Sequence, residues 1–202
     1  YSKVSRMRKN LMIPNIEYTI INKSKPDTII LIHGLYASSG YWLEYLKLFK
    51  NYKLFILNIN YDKYIHLDNS LDRLRSDLLS LPYPRNNSII ISHSLGTVIS
   101  NFLSQKLEFL SFEICPVYIA KRINSEMFIN DINGNMKKSK TSVKNKLTSV
   151  DNFLLSMRTT IDSKISFYIP KSDQYFNYDN SLLNSYFFLG DHYKISEALK
   201  II

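Results

Sequence analysis

Apolar positions along this chain follow two rhythms that alternate from one end to the other. Thr28–Ile32 (TIILI) is a short unbroken apolar run that stops at His33-Gly34, as expected of a strand covered on both faces of a parallel sheet. Ile16–Ile21, Tyr52–Ile59 and the run opening "SIIIS" at Ser88 read as further strands, and Asn22–Asp27, with Pro26, as a turn. Leu110–Ile114, Ile165–Ile169 and Tyr186–Leu189 continue the series. Between them, Ser39–Phe49 sets Tyr41, Trp42, Tyr45, Leu46 and Phe49 at helical spacing, with Ser39 as the cap. Ser70–Leu81 places Leu71, Leu74, Leu78 and Leu79 on one face and is stopped by Pro82 and Pro84. Thr97–Leu107 and Ile195–Ile202 read as the later helices. Strands alternating with helices predict an α/β fold, a mostly parallel sheet with helices on both faces. In such sheets ligands bind beyond the carboxyl ends of the strands.

One stretch breaks the alternation. Residues 121–160 hold Lys137, Lys138, Lys140, Lys144 and Lys146, then a helix-like Val150–Met157. They read as a lid inserted into a single compact domain over 1–202, because long excursions between core strands often shape a site. No apolar run is long enough to span a bilayer, and the start, YSKVSRMRKNLMIP, lacks a signal-peptide core. The expectation is a soluble, cytoplasmic protein without stable membrane insertion.

Charge and cysteine content narrow the chemistry. Cys115 is the single cysteine, which rules out an internal disulfide or a thiolate metal cluster, and it reads as a buried thiol. Neither metal nor cofactor is expected. The formal net charge of +9 allows a nucleic acid, an anionic membrane or an acidic partner. The lysines are scattered and no nucleic-acid motif is present, so no nucleic-acid partner is expected.

The run "SIIISHSLGTVIS" (88–100) carries the sharpest signal. A β-branched strand drives into Ser92-His93-Ser94-Leu95-Gly96 and then a helix, which is the context of a nucleophile elbow, G-x-S-x-G. In that turn the residues two before and two after the nucleophile come close together and must be small. Ser94 is flanked by Ser92 and Gly96, whereas Ser92 is flanked by Ile90 and Ser94. Ser94 is therefore the candidate nucleophile, Ser92 a small spacer and His93 a packing residue whose side chain points away from the attacking oxygen.

A serine hydroxyl needs a base within hydrogen-bond reach. Of the four histidines, His33 looks structural and His66 lies in a connection. His192, in "FFLGDHYKI", follows a late strand and a glycine turn that could bring it over Ser94, so it is the candidate base. Asp173 stands just after the Ile165–Ile169 strand and is the candidate acid. Asp191 adjoins His192 and should diverge from it, while Asp151 and Asp162 fall in or near the insertion. An oxyanion hole would use the N–H of Leu95 and one from the loop after His33-Gly34, with Leu35 as first candidate and Tyr36 its neighbour. Gly34 lets that loop approach substrate, and Tyr36 is expected to line the substrate site.

Taken together, "LIHGLYASSGYW", "ISHSLGTVIS", "YIPKSD" and "LGDHY" resemble an α/β-hydrolase fold serine hydrolase, in its Ser…Asp…His order. The likeness runs from about Ile16 to the end of the chain. Three departures stand out: Ser92 replaces the first elbow glycine, the usual glycine before the acid is absent, and only one strand precedes the His-Gly strand. The resemblance implies cleavage of a carboxylic ester or thioester through an acyl-enzyme. It extends to esterases that trim the methyl ester of a pimeloyl carrier protein, and an acidic carrier would suit the positive charge. An acyltransferase on the same fold and a catalytically silent binding module remain alternatives, since fold alone does not set function.

Overall fold

A computed structural model describes residues 15–65, 70–122, 148, 160–179 and 181–202 of the chain. Its centre is a seven-stranded sheet built from β1 (Ile16–Ile21), β2 (Thr28–Ile32), β3 (Lys53–Ile59), β4 (Ser88–His93), β5 (Leu110–Ile114), β7 (Ile165–Pro170) and β9 (Ser185–Phe188). The spatial order is β1-β3-β2-β4-β5-β7-β9, and β1 alone runs antiparallel, against β3.

Side-chain alternation sorts the strand residues into two cores. Ile30, Ile32, Phe55, Leu57 and Ile90 pack with Leu74 and Leu78 of α2 (Ser70–Leu79) and with Val98, Ile99 and Leu103 of α3 (Gly96–Leu107). Ile29, Leu31, Leu54, Ile56, Ile91 and Ile114 pack on the opposite face with Trp42, Tyr45 and Phe49, and with Ala198 and Leu199 of α4 (Ser196–Ile201). Helices thus cover both faces, which is why β2 is buried at every position.

Several elements differ from the sequence expectation. Ser39–Phe49 is a 3₁₀ helix, and its cap is Ser38, whose Oγ accepts the Gly40 N–H at 3.2 Å. A three-residue turn puts Trp42 and Tyr45 in line, one buried above the other against the sheet. The strand expected at Tyr186–Leu189 is shifted one residue earlier, and Leu189 is 72% exposed. The helix expected to reach Leu81 ends at Leu79. A one-turn helix α1 (Asp62–Ile65) and a ribbon pairing β6 (Lys121–Arg122) with β8 (Phe176–Asn177) were not anticipated. They are too short to show a period.

The expected lid over 121–160 lies outside the described residues except for Lys121, Arg122, Thr148 and Thr160, and the helix expected at Val150–Met157 lies wholly outside them. Among the described residues no helix is long and apolar enough to cross a membrane.

Candidate active site

A left-handed turn sits where β4 feeds α3. Ser94 lies between them with φ 53°, a left-handed conformation that a residue with a Cβ rarely adopts. The surroundings hold it there. Its N–H donates to Ile114 O at 3.0 Å, and its carbonyl accepts from Thr97 N at 3.0 Å and Thr97 Oγ1 at 2.6 Å. Two residues on, a Cβ at Gly96 would stand 2.6 Å from His33 O and 2.8 Å from Ile32 O, so only glycine lets α3 start this close to β2. Two residues back, Ser92 is fully buried, and its hydroxyl has no hydrogen-bond partner among the described residues. Its small side chain fits the turn, and its polarity is unused.

His192 lies in the loop between β9 and α4, and Asp173 in the segment leaving β7. The structure brings both to Ser94. Ser94 Oγ is 3.0 Å from His192 Nε2, and His192 Nδ1 is 2.9 Å from Asp173 Oδ2. Asp173 receives three more donors: Tyr175 N at 2.8 Å and Phe176 N at 3.1 Å on Oδ1, and the Tyr178 hydroxyl at 3.3 Å on Oδ2. Burial, followed by the nearby Cys115 and Asp173, pushes the Tyr178 hydroxyl well above the usual tyrosine range, so it stays a donor. A carboxylate can only accept, so it fixes Nδ1–H on His192 and leaves Nε2 to accept from Ser94. Tyr175, Phe176 and Tyr193 wall the imidazole, with ring centroids 5.3 to 5.5 Å away.

The remaining candidates fall elsewhere. Asp191 turns back on its own loop, accepting from Tyr193 N and Lys194 N. Asp162 Oδ1 accepts from Lys164 N ahead of β7. His66 and Asp151 lie outside the described residues. His33 donates from Nδ1 to Gly34 O at 2.8 Å and accepts the Ile59 N–H on Nε2 at 3.0 Å. Those bonds, with Tyr61 Oη donating to His33 O at 2.7 Å, fix the start of the loop that carries Gly34, Leu35 and Tyr36.

His93 has a partner that its sequence position did not reveal. Its Nε2 lies 2.7 Å from the backbone carbonyl of His192, and its ring stacks on Tyr41 at 4.9 Å. Burial, and then the nearby His192, push its pKa down to about 3, which leaves the ring neutral. The residue expected only to pack thus reaches the loop that bears His192.

Leu95 caps α3 in helical geometry and is buried, and Leu35 is half-buried. The N–H groups of both have no acceptor among the described residues. Tyr36 has φ 61° and, with Leu35 and Ala37, lines a cavity of about 290 Å³ that also touches Asn58, Asn60 and Asp62. A larger cavity of about 680 Å³ lies on the Asp173 side, between Lys171, Ser172, Phe176, Tyr178 and Phe187. Ser94 lines neither. One group of possible metal ligands occurs among the described residues, Cys115, Asp173 and His192. Both ring nitrogens of His192 are already engaged, and burial pushes the Cys115 thiol well above its usual range, so the set does not offer a ready metal site.

No family profile matches the chain, and no curated protein matches it. Solved structures do match, over nearly its whole length. A marine-microorganism esterase superposes with a TM-score of 0.60 at 12% identity, covering 94% of this chain and 97% of that one. The thioesterase domain from the curacin biosynthetic pathway gives 0.59 at 10%, over 92% and 94%. An α/β-hydrolase fold protein from Burkholderia ambifaria gives 0.54 at 11%, over 92% and 91%. With the mostly parallel seven-stranded sheet, these likenesses define the architecture: the chain has the α/β-hydrolase fold.

Proposed function

We propose that the protein is a serine hydrolase that cleaves a carboxylic ester or thioester through an acyl-enzyme on Ser94. The observation that carries this reading is the unbroken line from Ser94 Oγ to His192 at 3.0 Å and from His192 to Asp173 at 2.9 Å. Ser94 Oγ attacks the acyl carbon while His192 Nε2 takes its proton. Asp173 holds the imidazole in the required tautomer and stabilises the imidazolium. Negative charge gathers on the carbonyl oxygen and meets the N–H groups of Leu95 and Leu35, the first aided by the start of α3. Collapse breaks the bond to the leaving oxygen or sulfur, which receives the proton from His192. Water then attacks the acyl-Ser94 ester, with His192 as base, and the carboxylic acid leaves.

The thioesterase domain and the esterase among the structural neighbours support the substrate class. A small acyl ester or thioester presented by an acidic carrier protein, such as a pimeloyl carrier-protein methyl ester, fits the +9 charge. Titration of the chain with an acidic acyl carrier protein should show binding that weakens steeply with salt; no salt-sensitive association would remove the carrier from this reading. Hydrolysis of p-nitrophenyl and thioester acyl substrates by the wild type, and its loss in Ser94→Ala, tests the function itself.

A further inference from the structure

The geometry points to His93 as a positioning residue: by donating from Nε2 to the backbone carbonyl of His192, it sets the distance between Ser94 and its base. This rests on His192 acting as that base. The two residues are 99 apart in the chain, yet Nε2 and the carbonyl oxygen are 2.7 Å apart and buried. A carbonyl can only accept, so His93 carries its single ring proton on Nε2, and its Nδ1 has no partner among the described residues. Tyr41 stacks on the His93 ring at an interplanar angle of 14°, and the His192 ring stands 5.2 Å away. The ring is thus held against a flat neighbour and is not free to rotate out of the bond.

Its place in the chain gives the bond its consequence. His93 is the last residue of β4 and is covalently joined to Ser94, so whatever it grips is gauged directly from the nucleophile. His192 is on a loop, whose backbone would otherwise adjust independently of the sheet. The Cys115 thiol, 3.8 Å from the same carbonyl oxygen, adds a weak second donor, and Gln174 Oε1 faces the His192 N–H at 3.5 Å. The carbonyl side of the base is therefore fastened to the nucleophile's strand, and the amide side to the residue next to the acid. A misplacement of about 1 Å in such a pair costs roughly a hundredfold in rate.

The test compares His93→Gln, which keeps an N–H donor near the Nε2 position, with His93→Leu, which keeps bulk and loses the donor. On an activated ester, His93→Leu should lower kcat by about 10- to 100-fold with KM changed less than about threefold, and slow fluorophosphonate labelling of Ser94 in parallel. His93→Gln should recover most of that loss. A folded His93→Leu with wild-type kcat, or a Gln variant as slow as the Leu variant, overturns the assignment. A wild type that neither hydrolyses esters nor labels overturns the functional reading and this one with it. Should His93→Leu not fold, the ring ¹⁵N resonances of the wild type decide: an Nε2–H tautomer of His93 at neutral pH is required, and an Nδ1–H tautomer overturns it.

Discussion

Gly34 stands directly against Ser94: a Cβ placed on Gly34 would lie 2.9 Å from Ser94 Cβ and 3.4 Å from its Oγ. The loop after β2 and the turn after β4 therefore share one small space, and there the oxyanion of the proposed reaction would form. Gly34→Ala should push the loop or the serine off its line and lower kcat by roughly a hundredfold, because positioning errors of that size act at about that scale. Its melting temperature should fall less than that of Gly96→Ala, whose Cβ would press more closely, to 2.6 and 2.8 Å from two backbone oxygens. Parallel esterase assays and thermal melts check both.

Ser92 occupies the position of the first elbow glycine, with a buried hydroxyl that bonds to nothing among the described residues. Removing an unsatisfied buried polar group is neutral or stabilising. Ser92→Ala is expected to gain up to roughly 1 kcal/mol of stability and to keep its activity and its labelling. A large loss of activity in this variant would show that Ser92 does more than fit the turn.

Asp173→Asn keeps the size of the acid but offers an amide where His192 needs an acceptor. Turned the wrong way, that amide favours the tautomer with the proton on Nε2, which cannot take one from Ser94. The variant should fold, with kcat reduced by roughly 10³- to 10⁴-fold and KM little changed. Steady-state kinetics on an activated ester, beside a thermal melt, test this.

Glu113 supplies a pH signature separate from catalysis. It lies fully buried beside Ser92 in register, against Ser100 Oγ at 2.9 Å and the Tyr118 hydroxyl at 2.6 Å. Ser100 also meets Ser111, and Tyr118 receives Asn101 Nδ2, so the cluster joins β5 to α3. Burial pushes Glu113 up from 4.5 to about 8, against the smaller downward pull of those two hydroxyls. The folded state then holds a proton that the unfolded chain releases above pH 4.5. Stability should be full below that pH, fall as pH rises from 4.5 to 8, and level off beyond, by on the order of a few kcal/mol. His93 tilts the opposite side: its neutral form belongs to the fold, so stability falls as pH drops from 6.5 toward 3. Urea melts from pH 5 to 9 should show the alkaline decline in the wild type and a much flatter line in Glu113→Gln; equal slopes would contradict the buried-acid assignment.

Much of this was legible because strands and site follow local rules. The apolar run Thr28–Ile32 and the β-branched entry to Ser94 declare buried parallel strands, and the small-neighbour requirement separates Ser94 from Ser92. Chain order then leads to Asp173 and His192. What was hidden depends on distant contacts or on elements shorter than a period. "LSFEI" does not disclose that Glu113 is buried, because it is enclosed only when Ser100 of α3 and Tyr118, beyond the end of β5, fold against it. His93 reads as packing until residue 192 folds back upon it. The 3₁₀ geometry of Ser39–Phe49 shares its apolar spacing with an α-helix over so few turns.

The most direct measurement is covalent labelling with a fluorophosphonate probe, read by mass spectrometry of the modified peptide. One adduct on Ser94 is expected in the wild type, retained in Ser92→Ala, absent in Ser94→Ala and strongly slowed in a His192→Ala variant. An adduct on Ser92, labelling that survives Ser94→Ala, or no adduct at all would contradict a serine hydrolase acting through Ser94.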